Sequence, residues 1–240
     1  MSSPAVRKAL WIPELLRMIF ECSESADIIE SACVCKPWST VALDVLWHDV
    51  HDLRALFNAL APIERRIKED DQTTAYVFSK KPTPAMWSRF EKVYCSRICR
   101  LIIGEFSTQY DISRLFKTVA YTRPPRPLLP DLRDLHWSEL KSWTSLTDYA
   151  TLFMHEGVKR LVVSHFGTPD PSVSFFNVVR YRMPQLEHIE IRIYPRSKYA
   201  KPLDKCLSFW PESPDHLHWR ASDANHLTQM ADPAEPPLPW

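Results

Sequence analysis

The side chains most able to do chemistry are the cysteines and histidines. Cys95 and Cys99 are spaced i, i+4, so on a helix their thiols share one face. Cys33 and Cys35 lie too close along a helix to converge. A zinc site needs four convergent ligands, and no nearby histidine or cysteine completes either set. The thiols are therefore expected to be buried and inert. His216, His218 and His226 lie in a proline-rich tail, where solvated rings are the expected state; the 216/218 spacing would suit a metal only on a strand. No Ser–His–Asp or Cys–His arrangement stands out. With only Gly104, Gly157 and Gly167 present, a phosphate-cradling loop, a dinucleotide fingerprint and a GxSxG elbow are all missing. These patterns point to no cofactor, no metal and no catalytic residue.

The elements that dominate the chain are instead apolar helices near its start. In residues 10–47, Pro13 occupies a first helical turn, where its missing N–H would have been unpaired anyway, and Glu14 follows where the helix dipole favours an anion. Ile12, Leu15, Leu16, Ile19 and Phe20 recur at i, i+3, i+4, i+7, i+8, with Trp11, Leu15, Met18 and Cys22 as a second stripe. A helix this apolar is covered on two sides. A second helix is expected after Ser25, with Asp27 in its first turn and Ile28, Ile29, Ala32 and Cys33 on one face. It should end at Lys36, because a residue before proline avoids the helical region. Pro37 opens a third, carrying Trp38, Val41, Ala42, Val45 and Leu46. A segment so short and so apolar should be covered by another protein.

Ile-Pro-Glu-Leu-Leu (12–16), Ile19-Phe20, Val34-Cys35-Lys36-Pro37-Trp38 and Leu46-Trp47 together resemble the F-box motif at its usual spacing. Ile12 stands where the family usually has leucine, a volume-conserving exchange. The resemblance implies docking onto a Skp-family adaptor, and through it a cullin, in a Skp–cullin–F-box ubiquitin ligase. The residues implied to bind that adaptor are Ile12, Pro13, Leu15, Leu16, Ile19, Val34, Cys35 and Trp38, presented outward. Trp11, Phe20 and Trp47 are candidates for tying the F-box to the rest of the chain.

The composition neither adds nor removes a partner class. Thirty basic against 29 acidic residues leave a formal charge of +1, so neither nucleic acid nor a membrane surface is called for. No run of eighteen apolar residues exists, and the first residues lack a signal-peptide core. An intracellular protein, cytoplasmic or nuclear, with its six cysteines reduced, is expected.

Past the F-box, Asp52 can cap a helix carrying Leu53, Leu56, Phe57 and Leu60, which residues 62–70 could continue. Residues 71–83 read as a polar loop, and Pro84 opens a helix with Met86, Trp87, Phe90, Val93 and Tyr94. From residue 98 a pattern h-x-x-h-x-h recurs, starting at Ile98, Leu132, Val158 and Leu186, with helical stretches at 111–120, 138–153 and 172–182. The first interval is stretched by the proline-rich insert 122–130. This array looks like degenerate leucine-rich repeats, in which one strand–helix unit covers the next. The resulting fold class is mixed α/β: an F-box (8–50), a helical linker (51–96), a repeat-like array with parallel strands (97–193) and a partly disordered tail (194–240). A generic α/β sheet domain is the alternative architecture.

Residues that alternate with the apolar strand positions face the concave side of such an array. That set is Arg100, Ile102, Asp134, His136, Arg160, Val162, His188, Glu190 and Arg192, with Arg100, Asp134 and Arg160 brought side by side. Arg100, Asp134, His136, Arg160, His188, Glu190 and Arg192 are the expected contacts to an unknown protein substrate. The expected function is that of a non-catalytic substrate-recognition subunit. A non-ligase F-box scaffold and a small α/β enzyme are the alternatives.

Overall fold

A computed structural model describes residues 11–67, 74–103, 110–139, 149–165, 173–193 and 218–223. The chain opens with three helices, α1 (Pro13–Glu21), α2 (Ser25–Ala32) and α3 (Lys36–Leu46). Prolines start α1 and α3, as expected, and the short turns leave α2 only eight residues. Leu16, Phe20, Ile28, Val41 and Ala42 form a small core of their own. The Phe20 ring meets Trp38 edge to face, with centroids 5.9 Å apart, which closes α1 on α3.

A short strand β1 (Asp49–Val50) follows directly, then α4 (Leu53–Leu60). Asp52 caps α4 by accepting from the Arg54 N–H, and Leu53, Leu56, Phe57 and Leu60 are all buried. The helix does not continue through 62–70. Ala61 precedes Pro62 and is already extended, as a residue before proline favours. At Pro37 the expected boundary does not hold: α2 ends at Ala32, four residues before Lys36, and Lys36 is the first residue of α3, with Cys35 as its extended N-cap. Residues Ile63–Ile67 form β2 and Thr74–Phe78 form β3, paired antiparallel. The expected helical linker therefore contains a hairpin, and the expected polar loop contains β3, whose TAYVF sequence suits a half-buried strand. Thr83 caps α5 (Pro84–Val93), a 3-10 turn spans Cys95–Arg97, and β4 covers Arg100–Ile103. A short β5 (Tyr110–Asp111) joins β3 in parallel, giving the small sheet β2-β3-β5.

The rest is α6 (Ser113–Thr122), β6 (Asp134–Glu139), β7 (Arg160–His165), α7 (Val173–Arg182), β8 (His188–Ile193) and β9 (His218–Asp223). The main sheet has the order β1-β4-β6-β7-β8-β9, every pair parallel. Strands thus add in chain order, and one contact repeats at each step. The His48 carbonyl accepts from the N–H groups of Cys99 and Arg100, Cys99 from Arg133 and Asp134, Arg133 from Lys159 and Arg160, and Lys159 from Glu187 and His188. The first apolar residue of each h-x-x-h-x-h unit (Ile98, Leu132, Val158, Leu186) is buried two residues before its strand begins. Leu101, Leu135, Leu161 and Ile189 then stack in register.

Two parts of this sheet depart from the sequence reading. The segment 194–240, expected to be partly disordered, supplies β9 across residues 218–223. At the other edge, β1 comes from the end of the N-terminal helical module. That edge is tied further by the Trp47 and Tyr94 rings, 4.7 Å apart, and by Arg97 Nε at 2.8 Å from Asp44, a close ion pair without hydrogen-bond alignment. Arg100 lies 2.9 Å from Asp49 and 3.2 Å from Asp134, so one guanidinium links three strands. Among the described residues no helix is long and apolar enough to cross a membrane.

His155 is buried within this framework. Its Nε2–H donates to the Leu129 carbonyl at 2.8 Å, and Nδ1 accepts from the Gly157 N–H at 3.0 Å, which fixes the neutral tautomer. A Cβ on residue 157 would come within 2.9 Å of the imidazole, so glycine is needed there for close approach. Burial lowers the His155 pKa, against the smaller raising effect of the Leu129 hydrogen bond. The unfolded chain therefore takes up this proton more readily than the folded one. Stability should fall as pH drops below about 6.5, the ordinary histidine value, until the lowered folded pKa is passed. Thermal melts at pH 7.5 and 5 should show the loss, and His155→Gln should reduce that part of it.

Candidate functional site

The first candidate surface lies on the N-terminal helices. Ile12, Leu15, Ile19 and Val34 are exposed, as are Trp11 and Met18; their exposures run from 39% to 63% for α1 and its lead-in and reach 64% for Val34. Pro13 is exposed too, while Cys35 and Trp38 are half-buried. Leu16, expected outward, is 2% exposed and forms part of the module's core. The reason is local: of the five apolar positions in that stripe, Leu16 and Phe20 point at α2 and α3, and the helix is too narrow to present all five to a partner. Trp11 and Met18 extend the exposed set. The spacing already put Met18 on a stripe beside the main one, whereas Trp11 was expected to tie the module to the chain. Phe20 belongs to the module's own core, and Trp47 makes the tie.

Contiguous exposed apolar patches are a feature that interaction sites share. The exposure here has a physical basis in size: a core of five buried residues covers only part of three helices, so several apolar side chains stay exposed.

The second candidate surface is the row of strand residues. Their register is the one expected from stacking: Arg100, Asp134, Arg160 and His188 are successive partners, as are Ile102, His136, Val162 and Glu190. Two of them are not exposed. Val162 is 2% and Glu190 5% exposed, so neither presents a free surface. Glu190 Oε2 lies 3.5 Å from Arg160 and 3.9 Å from His188. The buried carboxylate sits beside the Arg160 guanidinium because its charge could not otherwise be sustained away from water. The side chain of Arg192 lies outside the described residues. Along this row Arg100, Arg160, Asp134 and Glu190 thus satisfy one another.

The thiols and rings do not assemble into a centre. The helix expected to carry Cys95 and Cys99 ends at Val93; Cys95 falls in the 3-10 turn and Cys99 just before β4. Among the described residues no group of three or more histidine, cysteine or acidic side chains is placed to hold a metal. His218 begins β9, and His216 and His226 lie outside the described residues. Burial, the largest effect, pushes the Cys95 thiol up to about 12. At pH 8 a water-soluble alkylating reagent should modify exposed Cys22 and Cys33 rapidly and leave Cys95 unmodified until the protein unfolds, as read by peptide mass spectrometry.

Residues 13–52 match the F-box-like family. The matched segment runs from α1 through β1 to the cap of α4, so it contains the exposed apolar set from Pro13 onward and the strand that begins the main sheet. F-box domains are typically non-catalytic modules that bind Skp-type adaptors, and the match supports an F-box protein. No curated protein matches the chain.

Proposed function

We propose that this protein is a substrate-recognition subunit of a Skp–cullin–F-box ubiquitin ligase. The observation that carries the reading is the exposed set Ile12, Pro13, Leu15, Ile19 and Val34 on the F-box-like module, with Cys35 and Trp38 at its edge. Apolar anchors clustered on one module are what dominate protein interfaces. Leu16 supports this surface from beneath. Residues 8–50 would grip the adaptor, and the strand–helix array would hold a target protein. The recurring carbonyl that accepts two N–H groups at each strand start, and the chain-order addition of parallel strands, support a leucine-rich-repeat-like array.

The mechanism needs no catalytic residue. Holding a target beside a charged ubiquitin carrier raises the effective concentration of its lysine. For that, the geometry between the two grips has to be constant, and β1, Trp47–Tyr94, Arg97–Asp44 and Arg100–Asp49 supply a stiff connection. A second reading, an F-box scaffold that delivers no substrate, draws on the internal pairing of the strand-face charges. Calorimetry with a purified Skp-type adaptor tests the first step: sub-micromolar to micromolar binding is expected, and no binding at micromolar concentrations removes the proposal. Ubiquitin-directed proteomics on cells lacking the protein separates the two readings, since only a substrate receptor changes the ubiquitylation of particular proteins.

A further inference from the structure

Charge pairing differs sharply between the strand row and two concavities lined by consecutive residues at the end of α6. One, of about 470 Å³, lies between the β2–β3 hairpin and α6 and is lined by Val77, Phe78 and Tyr121 together with Arg66, Lys81 and Arg114. The other, of about 400 Å³, is bounded by the 123–127 segment, the turn at 152–156 and the end of α7, and takes in Arg123, Arg126 and Arg182. Tyr121 and Thr122 line the first and Arg123 the second, so consecutive residues of one segment serve both. Tyr121 and Tyr181, one beside each concavity, are 87% and 85% exposed.

Of these six cations, two are matched: Arg66 pairs with Glu64, and Arg126 with Glu91. Lys81, Arg114, Arg123 and Arg182 have no carboxylate partner among the described residues. Among the described residues Glu156 is the one acidic side chain in either lining. The effect is felt at Arg123, whose pKa is lowered by burial and then by the like charge of Arg182. Among the described residues neither of these two mutually repelling arginines has a carboxylate within ion-pair distance. The chain as a whole carries only +1, so this is a local imbalance rather than a basic protein's general surplus.

We propose that this double concavity docks an acidic peptide segment, rich in aspartate or glutamate, of the target protein. The proposal rests on the substrate-receptor reading above and moves the contact from the strand row to the end of α6. The form of the surface favours a peptide. Cations spread over two adjacent pockets match several carboxylates along an extended segment better than one isolated anion. Guanidinium groups take carboxylates in two-pronged geometry. The apolar lining residues and the exposed tyrosine rings can cover the methylenes and backbone between the charges. Nucleic acid would call for a wider basic surface than four unpaired cations provide.

The test uses the full chain and a fluorescein-labelled peptide of alternating glutamate and alanine, titrated by fluorescence anisotropy. Saturable binding is expected, weakening steeply as salt is raised. Arg123→Glu with Arg182→Glu should reduce affinity roughly tenfold or more, because attraction is replaced by repulsion. Lys81→Glu with Arg114→Glu should act in the same direction. Arg123→Gln with Arg182→Gln, which adds no new charge, should give a smaller loss with an unchanged circular dichroism spectrum. Absence of peptide binding, equal affinity in the reversed variants, or tighter binding of an oligothymidylate of equal charge would each overturn the assignment. Adaptor binding is measured on the same samples. Its failure would remove the Skp reading alone, while its persistence without peptide binding would remove this surface alone.

Discussion

Ile19→Asp combined with Val34→Asp is expected to remove adaptor binding while leaving the fold intact. Both side chains are exposed, and neither belongs to the small core of Leu16, Phe20, Ile28, Val41 and Ala42. Aspartate there costs the free protein little. Against an apolar partner it costs much, since a carboxylate must lose water without gaining a counter-charge. Losing one interface anchor commonly costs at least ~2 kcal/mol, and two together about 4 kcal/mol, roughly a thousandfold in affinity. Calorimetry should show micromolar or tighter binding for the wild type and none for the variant at equal concentration, with superimposable melting curves. Leu16→Asp provides the contrast: it should also abolish binding, but by unfolding the module, visible as lost helical signal. A double variant that binds like the wild type would place the adaptor contact elsewhere.

That contrast shows what the spacing could and could not carry. A repeat of i, i+3, i+4, i+7, i+8 tells which residues share a helix face; it does not tell whether the face meets the protein's own core or a partner. Ile19 and Leu16 stand three residues apart on α1 and go opposite ways, because α2 and α3 occupy only part of the apolar girdle. The capped and proline-started helices were legible for a simpler reason. Asp52, Thr83, Pro13 and Pro84 act on the backbone within one turn, so no distant contact can override them.

The sheet was legible wherever the h-x-x-h-x-h unit kept its apolar residues. Strand starts at Arg100, Asp134, Arg160 and His188 lie two residues after the first apolar residue of each unit, and the charge register follows from the same alignment. The two outer strands were hidden by their chemistry. In β9 the unit would begin at His216, with Trp219 and Ala221 after it, so its first position is polar; yet 218 − 188 = 30 keeps the spacing. In β1 the first position is Trp47, already claimed by the F-box pattern, and Val50 follows as the partner of Leu101. One residue serving two patterns masks the second. The hairpin follows from the proline rule at Ala61–Pro62, where Ala61 is extended, whereas Lys36 before Pro37 is already the first residue of α3. The burial of Val162 and Glu190 depends on what covers that face, which strand alternation does not encode.

Phe116→Ala should be the most damaging single truncation in the main core. Phe116 is fully buried on α6, and its ring stacks on Tyr149 with centroids 4.5 Å apart and planes 14° apart. It also meets Phe57 edge-on at 5.2 Å, Phe153 at 6.3 Å and Trp137 at 6.1 Å. Those rings come from α4, the 149–153 segment and β6, so one side chain joins the helices next to the F-box to the middle of the sheet. Removing it leaves a cavity walled by aromatic rings that cannot collapse without moving the backbone. The cost should be about 3–5 kcal/mol, a large share of the roughly 5–15 kcal/mol that keeps a protein folded. At about 2–4 °C per kcal/mol for a chain of this size, the melting midpoint should fall by roughly 6–20 °C. The F-box-like module has its own core and does not contain Phe116, so adaptor binding should survive below the new midpoint. A drop under about 1 kcal/mol would mean that neighbouring rings refill the space and that this junction does not hold the sheet to the helices.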